Sequence, residues 1–230
     1  MATSNTVIEK ATFNFLKNLK ENNNKEWFDA HKSDYLKQQE VMISFADGLL
    51  QRLNLHDVIE TFSGKKSLHR IYRDTRFSKE KIPYKNNWSG GFTRATKERR
   101  GGYYFHIEPG NTFVAGGFFG PNAEDLKRVR DEISRDPSEL RAILKSKDFK
   151  NTFGELQGEQ LKTTPKGFNS DDEAIDLLRF KQFLLIKKFT DKEVLDPKFI
   201  DEVNAAFKNM RPFFDYMSEV LTTDGNGNLI

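Results

Sequence analysis

The chain has 230 residues and no cysteine, and its 37 Lys and Arg against 34 Asp and Glu give a formal net charge of +3. The absence of cysteine excludes disulfide bonds, thiolate metal sites and a cysteine nucleophile. No window approaches 18 consecutive apolar residues and no secretory signal is visible, so we expect a soluble, cytoplasmic protein with no membrane partner. The length and the 21 Phe residues predict a single domain over residues 1–230.

The N-terminal part, residues 6–55, has the periodicity and the start signals of helices. Thr6 and Glu9 have the spacing of a capping box, which predicts a helix that begins there. Asn24 has the position of an N-cap for a second, short helix. The spacing of apolar residues then predicts a longer helix over 33–53.

The middle of the chain, residues 65–120, is rich in aromatic residues, β-branched residues and glycine, a composition that predicts strands. The predicted strands are residues 68–73, 88–96, 102–108 and 112–119. The last two flank Pro109-Gly110-Asn111, so we predict that they form a hairpin. The pairs Gly90-Gly91 and Gly116-Gly117 indicate bulges or a close approach of neighbouring backbone.

Residues 121–221 are predicted to be mostly helical, and residues 222–230 to form a flexible tail. A strand is predicted over 182–189, after which Thr190 and Glu193 repeat the capping-box spacing. Helices, then strands, then mostly helices predict the α+β class. We therefore expect an antiparallel β-sheet in the middle of the chain, covered by N-terminal and C-terminal helices.

Positive charge is concentrated in residues 65–100, where twelve Lys and Arg against three Asp and Glu give a local charge of +9. The rest of the chain therefore carries −6, and this asymmetry indicates where an anionic partner would bind. Arg70, Arg73 and Arg76 recur here at every third position. One turn of helix would place them on one face, whereas in an extended strand Arg70 and Arg73 point to opposite faces. The sequence leaves both alternatives open.

The same segment carries a family resemblance. Its motif is Arg-x-x-Arg-Asp-x-Arg-Phe, then Lys, an acidic or amide residue, Lys, x, Pro and Tyr. The chain matches it at Arg70, Arg73, Asp74, Arg76, Phe77, Lys79, Lys81, Pro83 and Tyr84. On these residues the chain resembles the domain of unknown function 2461 family of conserved hypothetical proteins, with Glu80 where that family usually has Asp or Asn. Residues 22–28, 102–110 and 165–168 are also similar. The resemblance implies one domain of about this length, and it brings no established activity, substrate or catalytic residue.

Two groups of side chains are candidates for a functional site. Arginine forks bind phosphate and carboxylate bidentately, so the basic segment predicts an anion site, and its structural alternative is a network of ion pairs. The predicted ligand-binding residues are Arg70, Arg73, Asp74, Arg76, Lys79, Lys81 and Tyr84, with Lys85 as a further cation. His106 and Glu108 lie two apart on a predicted strand and share a face with Tyr104. They are the candidate catalytic acid and base, and the alternative for His106 is a solvated histidine.

The favoured interpretation is a binder of a phosphorylated or carboxylated small molecule, with enzymatic activity left undecided. The first alternative is a nucleic-acid-binding module that uses residues 65–100 as a flat basic face. That face includes a basic loop formed by Arg94, Lys97, Arg99 and Arg100. The second alternative is a protein-interaction domain. A metal site would need a third ligand beside His106 and Glu108, for which only His31 and His69 are candidates, so we predict none, and the cofactor stays unknown.

Overall fold

The computed structural model describes residues 6–76, 79, 81–224 and 228–229. Within this range four strands form one sheet in the order β1-β2-β3-β4. The strands are β1 (Trp88–Thr93), β2 (Gly102–Ile107), β3 (Thr112–Phe118) and β4 (Phe183–Phe189). The sheet is antiparallel and has helices before and after it in the chain, so the predicted α+β class is confirmed.

Helices make up most of the remaining regular structure. Before the sheet lie α1 (Lys10–Glu21), α2 (Lys25–Ala30), α3 (Lys32–Leu53) and α4 (Gly64–Ser67). After β3 lie α5 (Ala123–Arg135), α6 (Ser138–Lys145), α7 (Lys147–Phe153), α8 (Ile175–Leu178), α9 (Asp191–Val194) and α10 (Phe199–Thr222). In the part of the chain that the structure describes, no helix has both the length and the apolar character needed to cross a membrane.

The structure confirms some of the predicted helix starts and not others. Asn24 caps α2 by accepting a hydrogen bond from the amide of Trp27 at 2.9 Å, and Thr190 with Glu193 forms the predicted capping box of α9. The predicted box at Thr6 is wrong, because α1 begins at Lys10. Thr6 instead lies against Gly48 of α3, where its methyl group fills the space that a larger residue would need.

The predicted strand over 68–73 is also wrong as a regular strand. The segment is extended, but it pairs with residues 84–90 only through two isolated antiparallel bridges, Leu68 with Gly90 and Tyr72 with Tyr84. The close backbone approach predicted at Gly90 is confirmed. A Cβ atom there would lie 2.6 Å from the ring of Phe105 and 2.9 Å from the carbonyl oxygen of Ser67.

The chain divides into two compact units. The first comprises Met1–Thr93, Tyr104–Val114 and Lys188–Ala205. Its core includes Phe45, which stacks on Phe199 at a centroid distance of 5.6 Å and meets Phe105 edge-on at 5.8 Å. Such aromatic pairs add to the stabilisation that burial of their area provides.

The second unit comprises Arg94–Tyr103, Ala115–Lys187 and Ala206–Ile230. Its buried aromatic residues include Phe207 and Phe214 of α10, whose rings lie 4.9 and 5.2 Å from the ring of Tyr103. The end of the predicted tail falls partly on residues 225–227 and 230, which lie outside the described residues. Of the others, Thr223 and Leu229 pair in an antiparallel bridge.

Candidate functional site

An open groove of about 520 Å³ lies within the first unit. Its walls are formed by His69, Arg73, Asp74, Lys85, Asn86, Asn87, Ser89, Tyr104, His106 and Glu108. These residues come from the basic segment, from the chain that leads into β1, and from β2 with its following turn. The groove therefore brings the two groups of predicted site residues, the basic segment and the His106 hairpin, to one place.

The basic segment reaches the groove in an extended conformation rather than as a helical turn. The amide of Arg73 donates to the carbonyl of Pro83 at 2.9 Å, and the amide of Lys85 donates to the carbonyl of Ile71 at 2.8 Å. Successive residues of an extended segment point to opposite sides, so residues three positions apart also do. Accordingly Arg73 lines the groove and Arg70 does not.

Long-range contacts hold this segment in place. The side-chain oxygen of Asn23 accepts from the amide of Tyr84 at 3.1 Å, and the side-chain nitrogen of Asn23 donates to the Tyr84 carbonyl at 3.0 Å. The ring of Tyr84 is buried and stacks on Phe28 at a centroid distance of 4.1 Å. Tyr84 is thus an anchor of the segment rather than part of the groove wall.

Two cations of the groove have no counter-ion. Among the described residues, neither the guanidinium of Arg73 nor the ammonium of Lys85 makes a hydrogen bond or an ion pair, although both line the groove. Desolvation lowers the pKa of Lys85, and the nearby charge of Arg70 lowers it further. A bound anion would offset both effects, because an opposite charge favours the charged form of a lysine.

The remaining residues of the predicted anion site do not converge on the groove. Arg76 is exposed and pairs with Asp74 at 2.6 Å, a contact that lowers the pKa of Asp74. Lys81 donates to the carbonyl of Thr75 at 2.9 Å, and Lys79 is exposed. Of the seven residues predicted to bind a ligand, Arg73 and Asp74 line the groove. Phe77 and Glu80 of the family motif lie outside the described residues.

Another part of the groove wall carries a chain of hydrogen bonds along β2. The hydroxyl of Tyr104 lies 3.2 Å from Nδ1 of His106, and Nε2 of His106 lies 3.0 Å from Oε2 of Glu108. The same carboxylate oxygen accepts from Asn111 at 3.1 Å, and the imidazole stacks on Phe113 at 4.7 Å. We call Tyr104, His106 and Glu108 the relay. It arises because alternate residues of a strand share one face.

The chain of hydrogen bonds continues beyond Tyr104. Nδ1 of His69 lies 3.3 Å from the hydroxyl of Ser89, and Ser89 in turn hydrogen-bonds Tyr104. Burial raises the pKa of Tyr104, and the bond from Ser89 only partly opposes it. Desolvation lowers the pKa of His69, and the charge of Lys85 lowers it further.

Glu108 stays ionised in this setting. Burial raises its pKa, but the hydrogen bonds from His106 and Asn111 outweigh burial, so the pKa of Glu108 lies below its ordinary value. A carboxylate next to an imidazole orients the ring and stabilises its charged form, which is the arrangement used for general acid and base groups. Among the described residues, no three His, Asp or Glu side chains converge as a metal ion requires.

Sequence reasoning missed Asn86, Asn87 and Ser89. None of them belongs to a charge cluster or to a periodic pattern, and they reach the groove through the pairing of residues 68–73 with 84–90.

The predicted basic loop also needs correction. Arg94 is 2% exposed and donates to Asp215 at 2.6 Å, and Arg100 pairs with Asp125. These two arginines are structural ion-pair partners within the second unit.

Comparison with known proteins adds one match. A family model described as conserved hypothetical protein (DUF2461) matches residues 11–216. This range contains every residue that lines the groove. No curated protein and no solved structure matches the chain significantly.

Proposed function

The chain belongs to the domain of unknown function 2461 family, whose description names no activity, and from the chemistry of its groove we propose that it binds a small phosphorylated or carboxylated molecule. The ligand lies between the cations Arg73 and Lys85 on one side and the relay of β2 on the other. The volume of about 520 Å³ is in the range of small-molecule sites.

The observation that carries the proposal is the pair of cations without a counter-ion. Arg76, Arg94 and Arg100 each pair with a carboxylate, but within the described residues Arg73 and Lys85 do not. A guanidinium offers two parallel donors to phosphate or carboxylate, and a lysine adds a point charge. Together they support binding of one oxyanion group.

The relay supports acid–base chemistry beside this anion. His106 and Glu108 are the predicted acid and base, and they lie at hydrogen-bond distance from each other in the groove wall. A proton-transfer reaction on the bound molecule is therefore the first activity to assay once a ligand is found.

The test is a panel of anions measured by thermal unfolding of the purified protein. The panel contains phosphate, sulfate, carboxylates, sugar phosphates, nucleotides and short oligonucleotides. We expect at least one small anion to raise the melting temperature, because a ligand at 100 times its dissociation constant adds about 2.7 kcal/mol of stability.

Matched variants decide whether the groove is responsible. We expect Arg73→Ala and Lys85→Ala to lose the stabilisation by the anion. Lys79→Ala is the control, since it removes a lysine of the same basic segment that lies outside the groove, and it should keep the response. A parent protein that responds to no small anion, or variants that respond as the parent does, would contradict the proposal. A response to oligonucleotides alone would favour the nucleic-acid alternative.

A further inference from the structure

The direction of each hydrogen bond in the relay follows from the protons that its members carry. Glu108 is ionised and can only accept, so Nε2 of His106 carries the proton that points to it. In the neutral imidazole Nδ1 then has no proton and accepts from the hydroxyl of Tyr104. The single proton of Tyr104 is therefore engaged by His106 and is not available to a ligand.

Protonation of His106 reverses the direction of the hydrogen bond between its Nδ1 and the hydroxyl of Tyr104. Both ring nitrogens of a charged imidazole are donors, so Nδ1 donates to the oxygen of Tyr104. That oxygen has two lone pairs and accepts from both Ser89 and His106. The proton of Tyr104 is then free to point into the groove, which Arg73 and Lys85 also line.

We propose that Tyr104 is the hydroxyl donor that binds the anion in the groove, and that its donation requires a proton on His106. Anion binding is then accompanied by net proton uptake. This inference rests on the proposed function, because it concerns the same anion in the same groove. In anion binding His106 acts by positioning the hydroxyl of Tyr104, because its two nitrogens are hydrogen-bonded to Tyr104 and Glu108.

The residues around Tyr104 and His106 favour this change in the direction of their hydrogen bond. Burial keeps the pKa of Tyr104 above its ordinary value, so the phenol retains its proton at neutral pH. Asn111 holds the carboxylate of Glu108 and Phe113 holds the plane of the imidazole, so the ring keeps its place in both protonation states. Histidine is also the side chain whose ordinary titration falls between pH 5 and 8.

Other charged groups lie at or near the same site, and their effects on the pH dependence of binding must be distinguished from the effect of His106. Arg73, Lys85, Asp74 and His69 line the groove with the relay, Lys20 acts on Glu108, and Arg70 acts on Lys85 and Asp74. Of these, His69 is the second histidine of the groove, and desolvation and the charge of Lys85 lower its pKa. It therefore supplies the control for the experiment.

The experiment measures sulfate binding by titration calorimetry between pH 5.5 and 8, in buffers of different ionisation enthalpy. Sulfate does not change its own charge in this range. A hydrogen bond from a neutral group to a charged one corresponds to about tenfold or more in affinity. We therefore expect sulfate to bind about tenfold tighter at pH 5.5 than at pH 8, with a proton uptake that reaches at most about half a proton per sulfate.

Two variants test the assignment. Tyr104→Phe keeps the ring and the charge of His106 but removes the donor, so it should retain less than half of the proton uptake of the parent. His69→Gln should retain most of it. Half or more of the uptake left in Tyr104→Phe, or its loss in His69→Gln, would overturn the inference.

The outcomes also separate this inference from the proposed function. If the parent binds sulfate equally at every pH and Arg73→Ala abolishes that binding, the anion site stands and the role of Tyr104 is wrong. If the parent binds neither sulfate nor any other small anion of the panel at any pH, both fail.

Discussion

Glu108 shows how the ionisation of one groove residue is coupled to the stability of the fold. Its carboxylate accepts from His106 at 3.0 Å and from Asn111 at 3.1 Å, and its side chain is 18% exposed. These bonds favour the ionised form, and they are lost when the carboxylate is protonated. The pKa of Glu108 is lower in the folded protein than in the unfolded chain, so folding is coupled to its titration.

The sign of this coupling gives a prediction for acid. A carboxylate with a depressed pKa stabilises the fold above its unfolded value of about 4.3, and this contribution is lost as the pH falls through the folded value. We expect the free energy of unfolding, measured in urea from pH 6 to pH 3, to fall more steeply in the parent than in Glu108→Gln. Parallel profiles would show that Glu108 contributes no acid sensitivity.

At the scale of elements, the extended pairing of residues 68–73 with 84–90 positions the cationic wall. It contains few regular ladder bonds, and its attachment depends on Asn23, whose amide binds both backbone groups of Tyr84. Arg73 and Lys85 flank that attachment, and their amides form the backbone bonds on either side of the Tyr72–Tyr84 bridge. The cations of the groove thus depend on a side chain outside it.

Asn23→Ala should loosen this wall. The change leaves two backbone groups of Tyr84 without partners, which costs about 1–3 kcal/mol. We expect faster amide hydrogen exchange at Arg73 and Lys85. Asn22→Ala is the matched control, because the Asn22 side chain bonds only the Asn18 carbonyl within the exposed end of α1. Equal amide hydrogen exchange in the two variants would argue against this role of Asn23.

The elements also show where sequence reasoning succeeds. Tyr104, His106 and Glu108 were grouped on one face because a strand alternates every two residues, and the structure places them together. Asn24 and Thr190 cap helices through bonds that span three positions, so their local pattern was sufficient. Local geometry is readable when the partners are close in sequence.

Predictions failed where distant residues decide. Thr6 has the local pattern of a cap, but its contact with Gly48 of α3 holds it outside the helix. The spacing of Arg70, Arg73 and Arg76 left a helical turn and an extended strand both open, and pairing with residues 84–90 decides it, so that Arg73 lines the groove and Arg70 does not. No sequence pattern marks Ser89, because it reaches the groove through the pairing of residues 68–73 with 84–90, which no local pattern predicts.

At the scale of the whole molecule, charge asymmetry does not by itself make a nucleic-acid face. Residues 65–100 carry a formal charge of +9, but Arg94 is buried against Asp215 and Arg100 pairs with Asp125. The net charge of the chain is only +3. Nucleic-acid affinity without specific contacts depends on how many phosphates the cations neutralise, and it falls with salt.

We therefore expect weak nucleic-acid binding. A 20-nucleotide single strand and a duplex of the same length should bind with dissociation constants above about 10 µM at 150 mM salt. Fluorescence anisotropy with labelled oligonucleotides measures this directly, and a salt series gives the number of phosphates contacted. Submicromolar binding at 150 mM salt that Arg73→Ala and Lys85→Ala weaken would instead assign the groove to nucleic acid.

The two walls of the groove differ in how much of the chain they span. The residues of the relay lie at most four positions apart in one hairpin, whereas the cationic wall depends on a contact between Asn23 and Tyr84, 61 positions apart. Closing a long loop costs more chain entropy than closing a short one, so distant contacts open more readily. We therefore expect heating to open the contact between Asn23 and Tyr84 before it opens the hairpin that carries the relay.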